Sequence, residues 1–214
     1  MLSFSEFNYH FVNVSTSLGA DIVALDNGSV IASINPKSHR KSKVIMSGVH
    51  GDERGGPLAI LKYLQNKKLN TDNYQTIILP LINEDGWGKK DRHHTGIDLN
   101  RNFNSSGPSH VRQIINYLSP KEIDLFVDLH EDIDEDGFVY KLSTDSHNFA
   151  DQVASHIGCP TVVEDNHDQW GDSTEKFIRS LGCFKAVTTE APGKVSPEDK
   201  INWNYKAFEF VAQL

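Results

Sequence analysis

Residues 44–57 read Val44-Ile45-Met46-Ser47-Gly48-Val49-His50-Gly51-Asp52-Glu53-Arg54-Gly55-Gly56-Pro57. The apolar start has strand length, and Gly55-Gly56-Pro57 opens an amphipathic stretch from Pro57 to Gln65, so one strand feeds one helix through a polar turn. Outward from it the same unit recurs. Apolar runs at Ile77 to Leu81, Leu125 to Leu129 and Ala186 to Thr189 alternate with amphipathic stretches at His110 to Leu118, Phe149 to Ile157 and Thr174 to Leu181. This alternation predicts an α/β fold with a mixed, mostly parallel sheet covered by helices on both faces. Ile22 to Leu25 and Val30 to Ile34 flank Asp26-Asn27-Gly28, a sequence suited to a hairpin turn. A last helix is expected after Ser196-Pro197-Glu198, with Ser196 as cap and Pro197 in the first turn. Without internal repeat, low-complexity tract or linker, residues 1–214 are read as a single domain.

In open α/β sheets ligands gather beyond the carboxyl ends of strands, which is where His50, Asn83, His130 and Glu190 fall. His50 and Glu53 are three residues apart, and a separate strand supplies His130. Two imidazoles and one carboxylate make the His2Glu set of a catalytic zinc, which keeps a fourth position for water. Such ligands must arrive deprotonated, which histidine and glutamate can do near neutral pH. The expected cofactor is one Zn2+ per chain. Hydrolysis also needs a base that is not a ligand, and Glu190, at a strand end before Ala191-Pro192-Gly193, is the candidate.

Composition narrows the partners. A formal charge of -8, with 38% hydrophobic and 23% charged residues, is ordinary for a globular chain and supplies no basic patch for nucleic acid or anionic membrane. Met1 to Ala20 lacks the basic start and apolar core of a leader, and no apolar run approaches membrane-spanning length. A cytoplasmic protein acting on a small substrate is the expectation. Cys159 and Cys183 are in no CxxC pattern and read as free thiols.

The HxxE pair, Asn83-Glu84-Asp85-Gly86, Gly96-Ile97-Asp98-Leu99-Asn100-Arg101-Asn102-Phe103, the strand ending in His130 and Thr189-Glu190 follow one another as in the M14 zinc metallocarboxypeptidases. The chain resembles that family over residues 43 to 193, in a compact form related to the succinylglutamate desuccinylase and aspartoacylase branch. The resemblance implies a zinc carboxypeptidase-like fold with His50, Glu53 and His130 as metal ligands and Glu190 as general base and acid. It also implies that Asn100 and Arg101 grip a substrate carboxylate, for which a guanidinium fork is well matched. Asp98 would orient His50 through its other ring nitrogen. Arg92 is the nearest match to the family's oxyanion arginine, about one residue short of the usual spacing. Glu84 replaces the family's proline. Where digestive members carry a mobile tyrosine this chain has Trp170, with no tyrosine between Tyr140 and Tyr205.

Other residues have plainer readings. His93-His94 are expected at solvent in the site loop. Asp132-Ile133-Asp134-Glu135-Asp136-Gly137 begins like a calcium loop, but Ser143 stands where its closing glutamate belongs, so a charged rim favouring substrates with an amine is expected. Glu175 is expected on a solvated helix face, with a cationic specificity pocket as the other reading. For function, the first reading is a metallocarboxypeptidase cleaving an amide next to a free C-terminal carboxylate, with a small cytoplasmic substrate such as a recycled wall peptide. The second is an N-acyl amino acid deacylase of the succinylglutamate desuccinylase/aspartoacylase type; Asn102-Phe103 and Asp85-Gly86 look more peptidase-like. The third, an inactive zinc-binding module, is opposed by the retention of Glu190.

Overall fold

The computed structural model describes residues 2–35, 41–133, 136–145, 148–165 and 171–214. In chain order the elements are α1 (Phe4–Ser17), β1 (Asp21–Ala24), β2 (Val30–Ile34), β3 (Lys41–Ser47), α2 (Gly55–Asn66), β4 (Gln75–Leu79), α3 (Glu84–Lys89), a 3-10 turn (Leu99–Arg101), α4 (Ser109–Leu118), β5 (Glu122–Glu131), β6 (Phe138–Leu142), α5 (Phe149–Ile157), β7 (Thr161–Glu164), α6 (Thr174–Ser180), β8 (Lys185–Ala191) and α7 (Pro197–Gln213). The strands form one sheet in the order β1-β2-β4-β3-β5-β8-β6-β7. β4, β3, β5 and β8 run parallel through its centre, with β2 antiparallel to β4 and β6 antiparallel to β8. The mixed, mostly parallel α/β architecture expected from the sequence is the one observed.

The central strands are apolar throughout because both faces are covered. Ile45, Val127 and Val187 turn to one face, where they meet Phe7 and Phe11 of α1, Ile60 of α2, Val153 of α5 and Phe208 of α7. Val44, Met46, Phe126 and Ala186 turn to the other, against Val111 and Ile114 of α4 and Ile178 of α6. The period-2 alternation carries past the apolar runs. Asp128 and His130 share the face of Phe126, as Thr188 and Glu190 share that of Ala186, so all four project toward the α4 and α6 side. No described helix is long and apolar enough to cross a membrane.

The hairpin, α2, α4, α5, α6 and α7 lie where the sequence puts them to within about two residues, and the Ser196 side chain caps α7 by accepting from Asp199 N. β4 runs from Gln75 to Leu79, two residues earlier at each end than expected, and stops before Pro80, which lacks the N–H a sheet ladder needs. Four elements were not read. For α1 the signal was present: Ser3 and Glu6 form a capping box, and Phe7, Phe11 and Ser15 recur at helical spacing on its buried face. For α3, Asn83 accepts from Gly86 N as N-cap, which explains how Glu84 can stand where the family has proline: the first turn of a helix accepts either. β6 and β7 are short, β7 is an edge strand, and Val162 and Val163 lie at the surface, so no buried apolar run announces them. The calcium-like segment is flanked by β5 and β6 rather than by helices, which removes the EF-hand reading, and its Asp134 and Glu135 lie outside the described residues.

Candidate metal centre and substrate cleft

His50 follows β3 in a turn held closely against α3: a Cβ on Gly51 would fall 2.1 Å from the Gly86 backbone, so only glycine allows the approach. Glu53 lies three residues on, just before α2, and His130 is near the end of β5. The three converge. His50 Nδ1 is 2.6 Å from Glu53 Oε1, His130 Nδ1 is 2.8 Å from Glu53 Oε2, and the two Nδ1 atoms are 3.2 Å apart. All three side chains are buried, and no other group of three potential ligands comes together among the described residues. Zinc ligands at 2.0–2.1 Å in a tetrahedron stand about 3.3 Å from one another. The facing imidazole nitrogens, 3.2 Å apart, match that spacing and the carboxylate oxygens lie inside it at 2.6 and 2.8 Å; two imidazoles and a carboxylate converging in this way are a donor set that fits a divalent ion.

The outer nitrogens are fixed as well. His50 Nε2 is 3.1 Å from Asp98 Oδ1, and His130 Nε2 is 3.1 Å from Asp128 Oδ2. A carboxylate behind each imidazole sets its tautomer and turns the other nitrogen inward. Sequence reading missed the part of Asp128, although Asp128-Leu129-His130 places both side chains on one face of β5. Asp128 is held in turn by the Thr174 hydroxyl at 2.5 Å, at the start of α6. Burial opposes protonation of both histidines, but Glu53 and Asp98 raise His50, and Asp128 and Glu53 raise His130 well above the ordinary range. Burial alone would raise Glu53; the two imidazoles outweigh it and hold the carboxyl well below the usual range. The centre is thus negative around two imidazoles, an environment made for a cation.

One cleft over this centre is lined by His50, Arg92, Asn100, Arg101, Tyr140, Ser173, Thr188 and Glu190. Arg92 donates to Glu53 Oε1 at 2.9 Å and has a third of its side chain exposed, so its short spacing still brings it to the centre. Asn100 Oδ1 accepts from Thr174 N at 3.0 Å. Because a backbone N–H can only donate, the amide oxygen must face α6 and the NH2 group must face the cleft. Arg101 donates to its neighbour's carbonyl, Asn100 O, and crosses the Gly171 backbone, whose φ of +63° suits glycine. Glu190 pairs with His130 in the β5–β8 register. Burial raises its carboxyl above the usual range, His130 partly offsetting this.

Two expectations change. Glu175 is buried, not solvated: its carboxylate takes the Thr188 hydroxyl at 2.7 Å and Arg179 at 2.9 Å, and Arg179 also holds Asp145. The charge is answered inside the protein, so the segment builds a wall of the cleft rather than an open cationic pocket. His94 is not at solvent either. Its ring packs edge-on against His110 at 4.7 Å, next to Glu84, while His93 is half-exposed. Tyr140, noted in the sequence only as the start of a gap, lines the cleft. Trp170 lies outside the described residues. Both cysteines are free thiols, as expected.

The family model for the succinylglutamate desuccinylase/aspartoacylase catalytic domain matches residues 39–200. The chain belongs to this family. Among solved structures it is similar to a provisionally assigned metallopeptidase from Shewanella denitrificans OS217, with a TM-score of 0.82 and 20% identity over 98% of this chain and 91% of that one. A metallo-carboxypeptidase from Burkholderia cenocepacia gives 0.72 and 16% over 96% of this chain and 67% of the other, and murein-tripeptide amidase from Escherichia coli O157 gives 0.69 and 15% over 89% and 90%. At such identities the likeness is one of fold. No curated protein sequence matches the chain. The family makes it a hydrolase-family domain of the succinylglutamate desuccinylase/aspartoacylase kind, and the geometry gives it a donor set that fits a metal ion.

Proposed function

We propose that this protein is a zinc-dependent hydrolase cleaving an amide bond whose nitrogen belongs to an amino acid with a free carboxylate, and that it acts as a metallocarboxypeptidase on small peptides. The observation that carries the reading is the meeting, in one cleft, of the His50, Glu53 and His130 donors with Glu190 and with the cationic and amide donors Arg92, Asn100 and Arg101. Zinc on those three ligands supplies a Lewis acid that polarises a carbonyl and makes water acidic enough to lose a proton near neutral pH.

The chain's own groups do the rest. Glu190, beside His130 but outside the ligand set, takes the proton of the attacking water and returns it to the departing nitrogen. Arg92 has guanidinium hydrogens left to meet the oxygen on which charge develops. Arg101 and the Asn100 NH2 hold the substrate carboxylate, which sets the amide at a fixed distance from Glu190. Asp98 and Asp128 keep the imidazoles aimed.

The family model supports a second reading, an N-acyl amino acid deacylase, in which the same carboxylate anchor serves and the acyl side is a small acid. The two are separated by incubating zinc-loaded protein with a panel of dipeptides and N-acyl amino acids and identifying products by mass spectrometry. Release of C-terminal residues from dipeptides is expected. Release of only short acyl groups replaces the first reading by the second, and intact substrates throughout, with metal bound, refute both.

A further inference from the structure

The turn that carries Asn100 and Arg101 is clipped to the start of α6. Phe103 N donates to Asp172 O at 2.7 Å, Asn104 Nδ2 donates to Asp172 Oδ2 at 2.6 Å, and Thr174 N donates to Asn100 Oδ1 at 3.0 Å. The last of these also satisfies one of the N–H groups that a helix leaves open in its first turn. Thr174 has its hydroxyl left. It lies 2.5 Å from Asp128 Oδ2 and 3.2 Å from Asn100 Oδ1, and a hydroxyl has one hydrogen to give. The carboxylate is both the nearer and the charged acceptor, so the hydrogen goes to Asp128.

Asp128 depends on that bond. Its side chain is fully buried, Oδ2 also faces His130 Nε2 at 3.1 Å, and Oδ1 has no hydrogen-bond partner among the described residues. Within that set the Thr174 hydroxyl and the His130 ring alone hold the carboxylate, so the hydroxyl decides how Asp128 meets the imidazole. Thr174 is itself fixed. It is fully buried, its branched Cβ restricts the side-chain rotamer, and the preceding Ser173 caps α6 by accepting from Lys176 N. We infer that Thr174 is a positioning residue for the metal centre, its hydroxyl holding Asp128 so that His130 presents Nδ1 to the ion, while its backbone N–H separately holds Asn100 for the substrate carboxylate. The inference rests on the function proposed above and deepens it: one residue of α6 sets metal ligand and anchor relative to each other through two different atoms.

The test measures zinc affinity, by competition with a chelating dye, for the parent, Thr174→Val and Thr174→Ser, and then the kinetics of the zinc-saturated proteins on the substrate of the panel that the parent hydrolyses fastest. Thr174→Val keeps the shape and the backbone N–H and loses the hydroxyl. It should weaken zinc about tenfold, the lower end of what loss of an outer partner costs, and lower kcat while KM stays within about twofold. Thr174→Ser keeps the hydroxyl and should bind zinc within about twofold of the parent. In an Asp128→Asn background the valine substitution should add little, because the carboxylate through which Thr174 acts is gone. If the valine variant does not fold, Thr174→Ala loses the same hydroxyl in a smaller side chain and carries the same expectations. Unchanged zinc affinity on loss of the hydroxyl, a serine variant as weak as the valine one, or a rise in KM as large as the fall in kcat, the mark of an α6 that has merely come loose, overturns the inference while the zinc hydrolase reading stands. A parent that binds no zinc overturns that reading and the inference with it.

Discussion

Near the amino end of β3, Lys43 is fully buried and donates to Asn70 O, Val211 O and Ala212 O at 3.0, 3.0 and 3.2 Å; seven residues on, past the carboxyl end, His50 turns a nitrogen toward Glu53 and another histidine. The two ends lie about 20 Å apart at the strand rise of roughly 3.3 Å per residue. At the first end every hydrogen of one cation meets an acceptor, two of them carbonyls of the last turn of α7, where the helix dipole favours positive charge. At the second, acceptors face each other and their backs are braced by carboxylates. A closed set of partners fixes structure; an open set aimed at one point binds something. That contrast separates Lys43, which its rare buried charge alone would nominate as functional, from His50.

The largest expected effect concerns the open end. Glu190→Gln should lower turnover by about 10²–10⁴-fold, the usual contribution of a positioned base, with metal content and thermal transition unchanged. Turnover at the parental rate on a substrate the parent hydrolyses puts the base elsewhere. Next in size comes the closed end. Lys43→Met strips three carbonyls of their donor, leaving α7 frayed, and should cost about 3 kcal/mol in denaturant unfolding with early amide exchange in the last turn of α7. Activity per folded molecule should hold. A loss of activity at unchanged stability would join the two ends and break the comparison. Burial pushes Lys43 down to about 8, so its ammonium remains mainly charged at neutral pH.

A smaller effect sharpens the comparison at a third place. Burial, with His94 beside it, pushes His110 down to about 4. The unfolded chain takes up a proton as pH falls through about 6.5, and the folded chain does not until about 4. The unfolded state binds more protons across that window, so stability present above it is lost as pH falls from about 6.5 toward 4. His110→Gln should remove about 2 kcal/mol of the stability difference between pH 7 and pH 5, read as a shallower fall in Tm than in the parent. An unchanged slope would mean that His110 titrates freely when folded.

What the sequence made legible was whatever depends on neighbours in the chain. The apolar runs gave the strands, their ends gave His50, His130 and Glu190, and Asn100-Arg101 lies within one short turn. The residues missed depend on pairing across the sheet or on burial. Tyr140 reaches the cleft only because β6 runs antiparallel beside β8, which nothing between Glu131 and Phe138 announces. Glu175 looked solvated because its partners, Arg179 one turn on and Thr188 on another element, bury it jointly. Asp128 was visible but unassigned, since the period of a strand had to be extended past the apolar run to see that it backs His130. The capping box of α1 was overlooked among polar residues that mask its buried stripe.

The central claim is that His50, Glu53 and His130 together hold one zinc ion. Its most direct test is elemental analysis of the purified parent and of His130→Ala after equilibration with zinc and removal of free metal. About one zinc per parent chain and a loss of most of it in a variant that remains folded is the result predicted here. Full zinc occupancy in folded His130→Ala would contradict it.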